Sequence, residues 1–105
     1  MSFETREMVF VALADATRRR LLDRLRHRNG QTLSELCDGE TVSRQAVSKH
    51  LRILAEADLV FSEKHGRERL HYLNPVPIHA VAMRWLKLFD VLPLDVLAEK
   101  RKGPG

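Results

Sequence analysis

The chain has 105 residues, enough for one domain with a single core and too few for two. Hydrophobic residues make up 44% and charged residues 30%, a globular balance that excludes wholesale disorder, and the longest apolar run, Met8 to Ala14, is far too short to span a bilayer. A net charge of +4 permits a nucleic-acid partner without requiring one, and the single cysteine, Cys37, excludes an internal disulfide framework.

The elements read off in order. Ser2 can cap a first helix through about Ala14. The run Met8 to Ala14 is apolar on every face, so this helix is expected to be sandwiched. Either a core larger than the chain readily provides or a second subunit would cover it. Asp15 caps a second helix, with Leu21, Leu22 and Leu25 as its apolar stripe and arginines 18, 19, 20, 24, 26 and 28 around it. Asn29-Gly30 ends it. Thr32 and Glu35 form a capping box that opens a short third helix through Cys37. Gly39 lies in the turn, Glu40 beside it reads as a solvated loop acid, and Ser43 caps a fourth helix to about Ala57.

Two β-leaning runs, LVFSEK and RERLHYL, then flank His65-Gly66 and predict a hairpin. Asn74-Pro75 starts a last helix whose stripe is Ile78, Val81, Ala82, Trp85, Phe89 and Leu92, broken at Pro93. A short helix, a tight turn and a second amphipathic helix make a helix-turn-helix, and the hairpin after it is the wing. The expected fold is thus mainly α with a small β-hairpin: one winged helix-turn-helix domain over residues 1–98 and a frayed tail over 99–105.

The fourth helix carries the chemistry. Val47, Leu51 and Leu54 form its buried stripe, with Ala46 and His50 beside them. The opposite face presents Arg44, Gln45, Ser48, Lys49 and Arg52, and no acid interrupts it between Ser43 and Ala55. A solvated face usually mixes signs, because oppositely charged pairs four residues apart add stability. An acid-free face suits the major groove of DNA. Arg44 has a planar fork that matches guanine O6 and N7, and Gln45 can pair with adenine N6 and N7. Ser48 is small enough to let the helix sit deep, while Lys49 and Arg52 suit phosphates. Arg67 and Arg69, two apart on the expected strand, would share one face near the hairpin tip and reach a minor groove or its phosphates.

LADATRRRLLDRL, LSEL, SRQAVSKHLRILAEADLV and HGRERLHYLNPVPI, in that order between Phe10 and Trp85, resemble the ArsR/SmtB family of winged-helix transcriptional repressors. The resemblance implies a cytoplasmic homodimer that binds double-stranded DNA at a pseudo-palindromic operator. It also implies that dimerisation runs through the first and last helices, here the helix holding Met8–Ala14 and the helix holding Ile78–Leu92. By the same resemblance Ser43, Arg44, Gln45, Ser48 and Lys49 occupy recognition-helix positions and Arg67 and Arg69 occupy the wing; His50 matches a family histidine, but its helix face marks it as a packed residue and not a contact.

The chain departs from the family pattern in three places. Ala16 stands where proline is frequent, and Asp58 replaces a glycine after the recognition helix, a position aspartate tolerates. In ELCDGET, Gly39 stands where thiolate-type metal sensors carry a second cysteine, and His79 has no companion at ligand spacing. The chain therefore resembles a branch without recognised metal motifs; no cofactor is expected and the effector is not specified.

No Gly-rich phosphate loop, GxSxG, HExxH or paired carboxylate is present, so no enzyme is expected. The opening MSFETREM lacks the order of a signal peptide, and no membrane association is expected. The alternative reading is a winged helix serving as a protein–protein interaction module, whose exposed helix face should be apolar or mixed in sign.

Overall fold

The computed structural model describes residues 1–90 and 100–101. Among them the elements run α1 (Phe3–Leu13), α2 (Ala16–His27), α3 (Leu33–Asp38), α4 (Arg44–Glu56), β1 (Val60–His65), β2 (Glu68–Leu73) and α5 (Val76–Phe89). The expected stop at Leu92-Pro93 and the domain limit at residue 98 lie outside the described residues. Of the expected tail, Lys100 and Arg101 are described, and both are helical.

Four helices start where the sequence places their caps. Ser2, Asp15, Thr32 and Ser43 each accept the backbone N–H of the residue three positions on, at 3.1–3.2 Å. That bond satisfies one of the orphan donors of a first helical turn. The N–H of Arg18 holds the Asp15 carboxyl below its usual range. At α3 the Glu35 carboxylate returns a bond to the Thr32 N–H at 3.0 Å, completing the capping box.

The helices pack around Leu21, Leu25, Leu36, Val47, Leu54 and Leu59, all fully buried. From α1 Val9 and Ala12 are buried in this core with Leu13 packed against it, and from α5 Pro77 and Val81 are buried with Ile78 packed against the core. The two terminal helices thus leave most of their apolar surface outside it.

The α2 arginines do more than solvate a face. Arg18 Nε and Nη2 donate to the carbonyls of Ala12 and Val11 at 2.8 and 3.0 Å, and Arg19 Nη1 donates to that of Leu13 at 2.6 Å. They close the C-terminus of α1, which has no basic residue of its own in its last turn. Arg24 closes α3 in the same way, through the carbonyls of Leu36 and Glu35. A Cβ at position 39 would meet the end of the Arg24 side chain, which would have to shift.

Glu40 corrects the expectation of a solvated loop acid. Its side chain is 1% exposed and accepts from Arg20 Nε and Nη2 at 3.2 and 2.9 Å. A buried carboxylate needs such a partner, and this one ties α2 to the turn of the helix-turn-helix. Arg28 pairs with Glu35 and Arg26 with Asp23, so this arginine belt is largely committed within the chain.

β1 and β2 pair antiparallel, from Val60 with Leu73 to His65 with Glu68. That register leaves a two-residue turn, Gly66-Arg67, with Gly66 at φ +64 in the first central position, as a type II′ turn requires. Arg67 therefore lies in the turn and not on the strand, which corrects its expected alternation with Arg69. A link that no sequence pattern announced fixes the wing to α2. Gly30 and Gln31 donate backbone bonds to the His71 carbonyl, at 3.0 and 3.1 Å, and Gln31 accepts one from the His71 N–H. The buried Gln31 side chain donates to the carbonyls of Arg24 and Arg28, closing α2.

After α4, Asp58 takes the left-handed conformation expected of it, at φ +61. The Leu59 N–H reaches the Leu54 carbonyl and the Asp58 N–H that of Ala55, the bond pair of a Schellman cap. Asp58→Gly is expected to raise stability by about 0.5–1 kcal/mol, because glycine escapes the Cβ clash at positive φ. A urea midpoint that rises at constant slope would show it. A lower midpoint would mean that the Asp58 carboxylate stabilises the turn.

Candidate nucleic-acid interface

Helix α4 separates its residues as its periodicity requires. Val47, Leu51 and Leu54 are buried, while Ser43, Arg44, Gln45, Ser48, Lys49 and Arg52 are exposed. His50 is partly buried and accepts a bond from Arg18 Nη1 at 3.2 Å. Because a guanidinium can only donate, His50 Nδ1 carries a lone pair in this arrangement. The ring is packed against the α1–α2 junction, in keeping with its sequence-based assignment.

A groove runs between the start of α3, the first turns of α4, and β2. Arg44 and Ser48 line one wall, and Arg67 and Arg69 the other, with Ser34 and His71 between them. Glu68 is an acid on its lining. The fold thus brings four expected contact residues from two distant segments to one concave surface. Arg52 stands further along α4 and lines the adjoining cleft against Phe61 and Ser62 of β1. Gln45 and Lys49 are exposed on α4 beyond the groove's lining, and Ser43 spends its oxygen on the Ala46 N–H as the helix cap.

The sequence reading missed Lys64. In the hairpin register it lies directly opposite Arg69, so the two cations share one face of the wing. Like charges directly opposite destabilise a sheet, and here they add positive potential beside the groove. Period-two alternation would have found Lys64 once the turn was fixed at Gly66-Arg67. His71, also on this face, adds no charge at neutral pH. Burial, then the neighbouring Arg69, pushes its imidazole pKa below the ordinary value.

Arginines of the two regions differ in their partners. Those of α2 meet carboxylates or carbonyls, whereas Arg44 and Arg69 each meet one serine hydroxyl. Gln45, Lys49, Arg52 and Arg67 have no side-chain hydrogen bond or ion pair among the described residues. The cations of α4 and the wing remain available to an anion outside the chain.

Among the described residues, no group of three or more His, Cys, Asp or Glu side chains could hold a metal ion. Cys37 is half-buried and packs against the core. No helix there is long and apolar enough to cross a membrane.

A three-helix core with a helix-turn-helix, a hairpin wing, an acid-free polar face on α4 and arginines facing it from the wing defines a winged helix-turn-helix DNA-binding protein. The family model for a helix-turn-helix domain matches residues 13–61. The HTH-type transcriptional regulator YuzN of Bacillus subtilis, itself uncharacterized, is 36% identical over 88 residues, spanning 78% of this chain and 96% of that protein. The transcriptional repressor SdpR of the same organism is 28% identical over 81 residues, spanning 77% of this chain and 88% of that protein. An ArsR-like transcriptional regulator from Rhodococcus sp. RHA1 superposes with a TM-score of 0.77 at 32% identity, over 96% of this chain and 94% of that one. The chain belongs to the ArsR family of helix-turn-helix transcriptional regulators.

Proposed function

We propose that the chain acts as a two-fold homodimer on a pseudo-palindromic operator and represses transcription by occupying it. The observation that carries this reading is the predominantly basic groove in which Arg44 of α4 faces Arg67 and Arg69 of the wing, with Glu68 as the acid on its lining. In this reading α4 enters the major groove. Arg44, Gln45 and Ser48 reach base edges there, while Ser43, Lys49 and Arg52 fix register on phosphates. Arg67 and Arg69, joined by Lys64, lie over the adjacent minor groove or its phosphates. Repression is proposed by analogy with SdpR, which bears that description.

Dimerisation is supported by the surface that α1 and α5 leave uncovered. Val11 is 60% exposed, Leu86 64% and Phe89 52%. Contiguous apolar surface of this kind marks an interface. The alternative of a protein-docking winged helix calls for an apolar or mixed face on α4, and that face is basic and polar.

The regulator is read as non-catalytic, and its DNA binding as independent of a thiolate metal switch. Residue 39, where a thiolate-type sensor carries its second cysteine, is glycine in this chain.

Selection of duplexes from a random pool tests the proposal. The expected product is an inverted repeat with half-site centres about one helical turn, roughly 34 Å, apart. Enrichment of isolated half-sites, or none at all, would contradict it.

A further inference from the structure

We infer that Ser34 and Ser62 are positioning residues that hold Arg44 and Arg69 over the groove in DNA-ready geometry. Arg44 Nη1 donates to Ser34 Oγ of α3 at 3.0 Å, and Arg69 Nη1 donates to Ser62 Oγ of β1 at 3.0 Å. The same device thus occurs on both walls of one groove, built from different elements. The inference rests on the reading that Arg44 reaches a base and Arg69 a phosphate.

The chemistry of the tether explains why serine serves here and glutamate does not. Elsewhere in the chain arginines are held by Glu35 and Glu40, whose carboxylates cancel their charge. A hydroxyl is neutral, so Arg44 and Arg69 keep their full charge for the nucleic acid. Each tether uses one of five guanidinium donors and leaves four, including the pair of a bidentate fork. An exposed arginine also loses much rotamer freedom on binding, and a side chain already held loses less. At Arg69 the tether opposes the repulsion of Lys64 directly across the strand pair.

The test uses the full chain and its selected operator. Affinity is measured by fluorescence anisotropy for the operator and for each single base-pair substitution of it. The proteins are wild type, S34A, S34T, R44A and the S34A/R44A double variant. S34A is expected to weaken operator binding roughly three- to ten-fold, the scale of one ordinary hydrogen bond. It should flatten preference at the same base pair that R44A flattens, with the melting temperature unchanged. S34T should restore both affinity and preference, and S34A should be silent when Arg44 is already alanine.

S34A that leaves base preference intact would overturn the tether. So would an S34A loss of equal size in the Arg44→Ala background, which would make Ser34 an independent contact. Arg44→Ala without any change of base preference would overturn the base-reading role instead. The tether would then stand or fall on the silence of S34A in that background. Ser62 is tested in parallel: S62A should weaken all duplexes alike and have no effect once Arg69 is alanine.

Discussion

Trp85→Ala is expected to weaken the homodimer roughly a thousandfold. Trp85 is 47% exposed, yet its ring is already fixed on its own protomer. It meets Phe10 edge-to-face at 6.2 Å and stacks on Phe89 at 5.1 Å. A rigid, half-exposed tryptophan in an apolar surface has the character of an interface hot spot, because little freedom remains to be lost on docking. Truncating such a residue typically costs about 2 kcal/mol or more. A two-fold interface presents every substitution twice. The expected total of about 4 kcal/mol corresponds to a factor near a thousand in the dissociation constant.

Sedimentation equilibrium across a range of concentrations measures that constant directly, and circular dichroism checks that the helices persist. Operator affinity should then become steeply dependent on protein concentration. A dimer constant unchanged in Trp85→Ala would place the interface elsewhere. A point substitution is more informative than removing α1, because Val9 and Ala12 belong to the protomer's own core and their loss would unfold it.

The second large effect separates two kinds of contact on α4. Arg44→Ala is expected to cost roughly 1–3 kcal/mol on the operator and to relax preference at one base pair per half-site. Lys49→Ala should weaken every duplex similarly and reduce the salt slope by about one for each phosphate that the lysine neutralises. The positions justify the division. Arg44 opens the helix at the groove and is steadied by Ser34, whereas Lys49 is exposed more than a turn later. Recognition helices present bases to their N-terminal residues and phosphates to those beyond. Measured against salt and against sequence, the two variants should fall into different classes. Identical behaviour on every duplex would show that the division is wrong.

The features legible in the sequence are those set by local chemistry. Ser2, Asp15, Thr32 and Ser43 cap helices through bonds three residues long, so residue type and spacing sufficed. Asp58 was legible through the family resemblance, which places glycine there, together with the tolerance of aspartate for positive φ. The buried stripe of α4 followed from its period.

What escaped depends on interactions between elements. Arg24 and Arg20 reach α3 and Glu40 across 12 and 20 residues, and no local pattern announces a guanidinium aimed at a helix terminus or a buried acid. The strand assignment of Arg67 failed because a two-residue turn consumes it, although Gly66 at the turn's first position carried that signal. Lys64 was hidden by the same shift, since its place opposite Arg69 exists only in the observed register.

The central claim is that the basic face of α4 reads bases as part of a symmetric pair. Parallel selection of duplexes from one random pool by the wild type and by Arg44→Ala tests it most directly. The wild type is expected to enrich an inverted repeat. The variant should enrich the same repeat with one base pair per half-site no longer specified. An identical motif from both proteins, or no repeat from either, would contradict the account.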